Sequence, residues 1–216
     1  IHSSHEDLLP VYDAVQIHTA EHILSGLFHS EYGIENVGFH LGDTEVTMDT
    51  SAPITEEMAD KIEALANGAV FANKAVFAKI YSVEEAKGKK YRAKLEFSTD
   101  VRLVDIEDVD LCACCAPHVA YTGEIGIIKL LKLESHKGGT RIYMLAGGRA
   151  YRYMKEIYKT LSNASALLSA PPLSVDSEIE FTPVSKENPC LGTLRIPMNA
   201  KCLINDGQHR KAAIEA

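Results

Sequence analysis

At 216 residues the chain has room for one large domain, or one domain with a small appendage, and for a sizeable buried core. Its 46% hydrophobic and 24% charged residues are those of a globular protein rather than a disordered one, and no run of about 18 apolar residues offers a membrane span. A net charge of −8 argues against a broad surface for coating nucleic acid, while leaving room for local basic patches.

The N-terminus has neither the basic start nor the apolar core of a signal peptide. It opens without methionine on "IHSSHEDLLP", as a fragment of a longer sequence is expected to. "HTAEHILSGLF" then reads as helix. With Ile17 as reference, Ala20, Leu24, Leu27 and Phe28 form an apolar face. His18, His22, Ser25 and His29 form a stripe beside it, with Glu21 between the two, and Gly33 is the expected stop. "VGFHLGDTEVTMD" reads as two short strands around a Gly-Asp turn. A second amphipathic helix follows, capped by Thr55, with Ile62, Leu65 and Ala69 on its buried side. "AVFAKIYS" is a strand, and Ser82 with Glu85 has the spacing of a capping box before a short helix. "VRLVDIEDVDLC" is rich in strand formers. "IGIIKLLKLE" and "TRIYMLAG" are strands joined by the "SHKGG" hairpin, and "GRAYRYMKEIYKTLSNASALL" is a third helix. Helices and antiparallel hairpins without a repeating βαβ order predict an α+β fold, an antiparallel sheet packed with helices. Pro171-Pro172 suggests a boundary, giving a domain over 1–170 and an unassigned tail over 171–216 without clear periodicity.

Five cysteines, three of them within four residues (Cys112, Cys114, Cys115), do not suit a disulfide framework, and a reduced, cytoplasmic compartment is expected. Histidines four apart on a helix, His18 and His22, can both reach one ion, and the Cys114-x-x-x-His118 loop supplies a thiolate and a third imidazole, the donor types of tetrahedral zinc. Taken alone, the first pair also fits two solvated histidines. Cys112 and Cys115 are rival sulfurs; strand alternation puts Cys112 and Cys114 on one face and Cys115 on the other, in the core. "HTAEH" also matches the inverted zinc-peptidase motif, which would require Glu96 as a further ligand.

Taken in order, "HTAEHILSGLF", "CACCAPHVAYTGEIG" and "GGTRIYMLAGGRA" resemble the editing domain of alanyl-tRNA synthetase and its free-standing AlaX relatives, over about residues 13 to 170. The resemblance implies zinc on His18, His22, Cys114 and His118, and hydrolysis of the ester of mischarged tRNA for alanine, seryl- or glycyl-tRNA. Cys115-Ala116-Pro117 stands where the family often has Gly-Gly-Thr. His40 aligns with a polar residue of the family's first hairpin, and Glu21 with the position before the second helix histidine; both become wall residues of the site. The aminoacylation segment of the synthetase and the glycine-rich barrel of larger AlaX proteins have no counterpart in this sequence.

Such an ester needs only a placed water, a stabilised oxyanion and exclusion of bulk solvent. Glu21 is the candidate base, with a surface or supporting carboxylate as its other reading. Zinc either activates water or, given four protein ligands, orients the substrate amino group. His40 or Thr47 is expected to meet the hydroxyl that separates serine from alanine. Lys90 and Arg152, in the basic stretches 87–94 and 149–155, and Arg141 in the "GGTRI" turn are expected to contact the tRNA acceptor end. A zinc peptidase and a non-catalytic, zinc-stabilised tRNA-binding module are the alternatives.

Overall fold

The computed structural model describes residues 5–43, 45–93, 98–168, 180–185 and 188–195, with side chains described within 9–166. The chain divides into two compact units, residues 1–152 and 153–216.

The first unit opens with α1 (His5–Tyr32), followed by the hairpin of β1 (Asn36–Leu41) and β2 (Val46–Thr50). Then come α2 (Glu56–Phe71), β3 (Val76–Tyr81), the short α3 (Val83–Lys87), β4 (Val101–Ile106) and β5 (Asp110–Ala113). A 3-10 turn at Thr122–Ile125 leads into β6 (Ile128–His136), β7 (Gly139–Ala146) and the start of α4 (Gly147–Leu168). The strands form two antiparallel sheets, one in the order β1-β2-β7-β6 and one in the order β3-β4-β5. This is the expected α+β architecture.

The local signals act as the residues dictate. Gly33 takes a φ of +66° and closes α1, its N–H donating to His29 O. Thr55 caps α2 by accepting from Met58 N–H, and Ser82 and Glu85 form a reciprocal capping box. Lys137 and Gly138, with φ of +48° and +85°, make the two-residue turn between β6 and β7.

α1 sits in the middle of this unit, touching β1 and β7 of one sheet and β5 of the other, as well as α2 and the 3-10 turn. Its apolar face enters the core through Ile17, Ala20, Leu24 and Phe28, while Thr19, Glu21, His22 and Ser25 are buried too. Burying a polar stripe costs free energy unless each group finds a partner, so this second face has to be a built polar site.

Three expectations need correction. Leu65 is 40% exposed, because α2 turns Ile62, Ala66 and Ala69 inward and leaves the preceding turn's Leu65 at the rim. Cys115 is exposed and Cys112 is the buried sulfur: β5 ends at Ala113, so strand alternation does not extend to 115. The tail has more structure than its pattern suggested. In the second unit Glu180–Ser185 (β8) and Asn188–Arg195 (β9) pair as an antiparallel hairpin.

Candidate metal centre

The helical spacing puts His18 and His22 one turn apart on α1, facing the loop that follows β5. There the ligand atoms of His18, His22, Cys114 and His118 all lie within 4.8 Å of one another. The three imidazoles are mutual neighbours, with ring centroids 4.6 to 4.8 Å apart. His18 Nε2 is 3.7 Å and His118 Nε2 is 3.5 Å from Cys114 Sγ.

The outer nitrogens are tied down. His18 Nδ1–H donates to Pro117 O at 3.4 Å. Thr19 Oγ1 donates to Val15 O and so accepts from His118 Nδ1–H at 3.2 Å; it also accepts the N–H of Val119. A carbonyl can only accept, and the Thr19 proton is already committed. Both rings therefore hold a proton on Nδ1 and turn Nε2, the nitrogen a metal ion would take, toward the sulfur. The loop itself is braced by Arg102, whose guanidinium donates to Cys114 O at 2.7 Å and Ala116 O at 3.0 Å. Donor types, convergence and fixed tautomers fit a metal ion.

Electrostatics agree with that chemistry. Burial alone would raise the Cys114 pKa, but hydrogen bonds from His118, His18 and His22 outweigh it and bring it down to about 3. Burial would lower the pKa of His22, yet Asp110, Cys112 and Cys114 as hydrogen-bond partners, with Glu21 nearby, push it up to about 12. Burial lowers the pKa of His118 and raises that of the Cys112 thiol. The metal-free site thus holds a thiolate beside a protonated imidazole, and a metal ion would displace that proton.

The site opens into a hollow of about 1260 Å³, lined among others by Glu21, Asn36, Phe39, Lys90 and Arg92. Glu21 is 6% exposed. Its Oε1 accepts from Ser25 Oγ and from Asn36 Nδ2, and its Oε2 is 3.8 Å from His22 Nε2.

Sequence comparison points the same way. Residues 101–143 match the family model described as "Threonyl and Alanyl tRNA synthetase second additional domain". The chain is 27% identical over 166 residues to the alanyl-tRNA editing protein Aarsd1-A of Xenopus laevis, covering 74% of this chain and 40% of that one. It is 29% identical over 167 residues to the alanyl-tRNA editing protein AlaX-L of Pyrococcus horikoshii, covering 75% and 41%. With the alanine–tRNA ligase of Petrotoga mobilis it shares 31% identity over 172 residues, 76% of this chain but 19% of the ligase. Over these residues the chain is similar to AlaX-type editing proteins. It spans about two fifths of the length of the editing proteins it matches. Residues 150–216 match a different family model, DndB, described as "DNA-sulfur modification-associated".

Within the first unit, the expected metal ligands and Glu21 come together, and Lys90 lies on the wall of the same hollow. His40 and Thr47 do not reach it. Their neighbours Phe39 and Met48 face α1, Phe39 stacking on His18 and Met48 Sδ lying 3.5 Å from Ser25 Oγ. Period-two alternation then turns His40 and Thr47, a directly paired couple, to the opposite face of the sheet. Arg141 is on that face as well, in a two-pronged contact with Asp49 at 2.7 and 2.8 Å and with His136 at 3.2 Å. Arg152 lines a separate hollow with Leu9, Leu41 and Arg149, and is paired with Asp13. Glu96 and Lys94 lie outside the described residues.

The sequence reading missed Thr19, Asn36, Phe39, Arg102 and Asp110. Only Thr19 carried a signal, being a hydroxyl residue directly beside a metal-type histidine.

Proposed function

We propose that this domain hydrolyses the ester of mischarged tRNA for alanine, seryl- or glycyl-tRNA, using zinc held by His18, His22, Cys114 and His118. The observation that carries the reading is the meeting of the helix histidines and the Cys-x-x-x-His loop, with a buried carboxylate beside them, in a domain similar to proteins named for alanyl-tRNA editing. Zinc, when bound, polarises an ester carbonyl and makes nearby water more acidic.

The chain's own residues supply the rest. Ser25 and Asn36 occupy Oε1 of Glu21 and fix the carboxylate, which leaves Oε2 on the ligand side to orient a water and take its proton. Attack of that water on the acyl carbon breaks the bond to the ribose oxygen. The proton held at Oε2 then passes to that oxygen, releasing the amino acid and a free tRNA end. Phe39, stacked at 6.1 Å on His18, walls the site with an apolar ring that helps exclude bulk water. Lys90 on the rim supplies a cation for the acceptor-end phosphates. Cytoplasmic location fits a site whose described cysteines are all free thiols. Among the described residues no helix is long and apolar enough to cross a membrane. This reading concerns the first unit alone.

Glu21→Gln tests the assignment. It removes the base while keeping the shape, so hydrolysis of seryl-tRNA for alanine is expected to slow by about 10²- to 10⁴-fold at unchanged zinc content. An unaltered rate would reduce Glu21 to a supporting residue.

A further inference from the structure

Between the ligand helix and β5 lies a polar cluster that the proposed hydrolysis does not itself use. Asp110 opens β5, and its side chain is only 3% exposed. Arg92 donates to both of its oxygens, Nε to Oδ1 and NH2 to Oδ2, each at 2.7 Å. The same Oδ2 is 3.7 Å from His22 Nδ1, and Cys112 Sγ, two residues along the strand, is 2.7 Å from that nitrogen. Arg92 is anchored to the strand it serves: its N–H donates to Leu111 O at 2.8 Å and its carbonyl accepts from Ala113 N–H at 2.9 Å.

A buried carboxylate is tolerated only when it is paired, and the guanidinium meets that need while leaving an oxygen lone pair for the imidazole. His18 and His118 give their Nδ1–H groups to neutral oxygens, those of Pro117 and Thr19. His22 alone among the three faces a carboxylate. A metal-ligating histidine whose second ring nitrogen meets a buried carboxylate is fixed in tautomer and rotation and made a stronger donor.

We propose that Asp110, clamped by Arg92, is a positioning residue for His22: Cys112 Sγ takes the hydrogen-bond position at Nδ1, the Asp110 carboxylate 3.7 Å from that nitrogen holds a proton on it electrostatically, and Nε2 is so presented to the metal centre. The inference rests on the reading of His18, His22, Cys114 and His118 as metal ligands. It also changes the role of Arg92, which sits in the hollow within a basic stretch but spends its guanidinium on Asp110 rather than on a phosphate.

The test is zinc affinity of the full chain, measured by competition with a chromogenic chelator. Asp110→Asn is expected to weaken zinc binding by about 10- to 100-fold, and Asp110→Glu to recover part of the loss. In a His22→Ala background, Asp110→Asn should change the affinity by less than about twofold, since no ring is left to orient. Wild-type affinity in Asp110→Asn, or an equal loss in both backgrounds, would overturn the inference while leaving the metal centre intact. A wild-type chain that takes up no zinc would instead fail the metal-centre reading, and this inference with it. Should the Asp110 variants not fold, nitrogen NMR of the zinc-loaded wild type still decides: a protonated Nδ1 and metal-bound Nε2 on His22 are expected, and metal on Nδ1 would overturn the proposal.

Discussion

Cys114 carries the chemistry of the metal-free site. Three imidazoles surround its sulfur and bring its pKa down to about 3 from the ordinary thiol value. A depressed value means the thiolate persists as pH falls, so alkylation of Cys114 in the metal-free protein should be nearly constant from about pH 5 to pH 9. An unperturbed thiol would slow about tenfold per unit below its pKa of about 8.5. Mass spectrometry after timed iodoacetamide treatment reads this directly, with Cys112 slow because burial keeps its thiol protonated, and zinc protecting Cys114. At this scale the sequence was informative wherever spacing alone decides. His18, His22, Cys114 and His118 could be identified because helical and loop periodicity fixes who can meet whom. Asp110 and Asn36 could not, because their importance comes from His22 and Glu21, far from them in the chain. His40 and Thr47 were misdirected by their position in the right hairpin on the wrong face.

Among the elements, the approach of α1 to β5 matters most. Gly26, one turn past His22, lies against β5: a Cβ there would meet Asp110 Cβ at 2.6 Å and Val109 O at 2.9 Å. The missing side chain is what lets the strand bearing Asp110 and Cys112 come up to the helix. Gly26→Val should cost about 1–3 kcal/mol in chemical denaturation by overpacking, and should also weaken zinc binding by levering β5 away from His22. Loss of stability with zinc affinity unchanged would mean the contact is structural only. Elements with local punctuation could be read in advance: Gly33, Thr55, the Ser82–Glu85 box and the Lys137-Gly138 turn each fix an end by their own geometry. The hairpin of β8 and β9 could not, since Pro183 and Pro189 interrupt the alternation that announces a strand.

For the molecule as a whole, the proposed function brings an acidic chain to an acidic polymer, so it calls on local cations. Lys90 borders the hollow, whereas Arg152 is paired with Asp13 elsewhere. Lys90→Glu should therefore weaken tRNA binding and reduce the slope of log affinity against log salt by about 1. Arg152→Glu should leave that slope alone and cost under about 1 kcal/mol of stability, as half-exposed ion pairs do. Equal effects of both changes on tRNA binding would contradict this division of labour. The central claim is that these residues form a zinc-dependent editing site, and its most direct measurement is deacylation of seryl-, glycyl- and alanyl-tRNA for alanine by the full chain, before and after chelation and after zinc is restored. The account predicts release of serine or glycine at a rate well above that of alanine, loss of that activity with the metal, and its return with zinc. A chain that leaves all three esters intact while fully loaded with zinc, or that hydrolyses them equally well without it, would contradict the account.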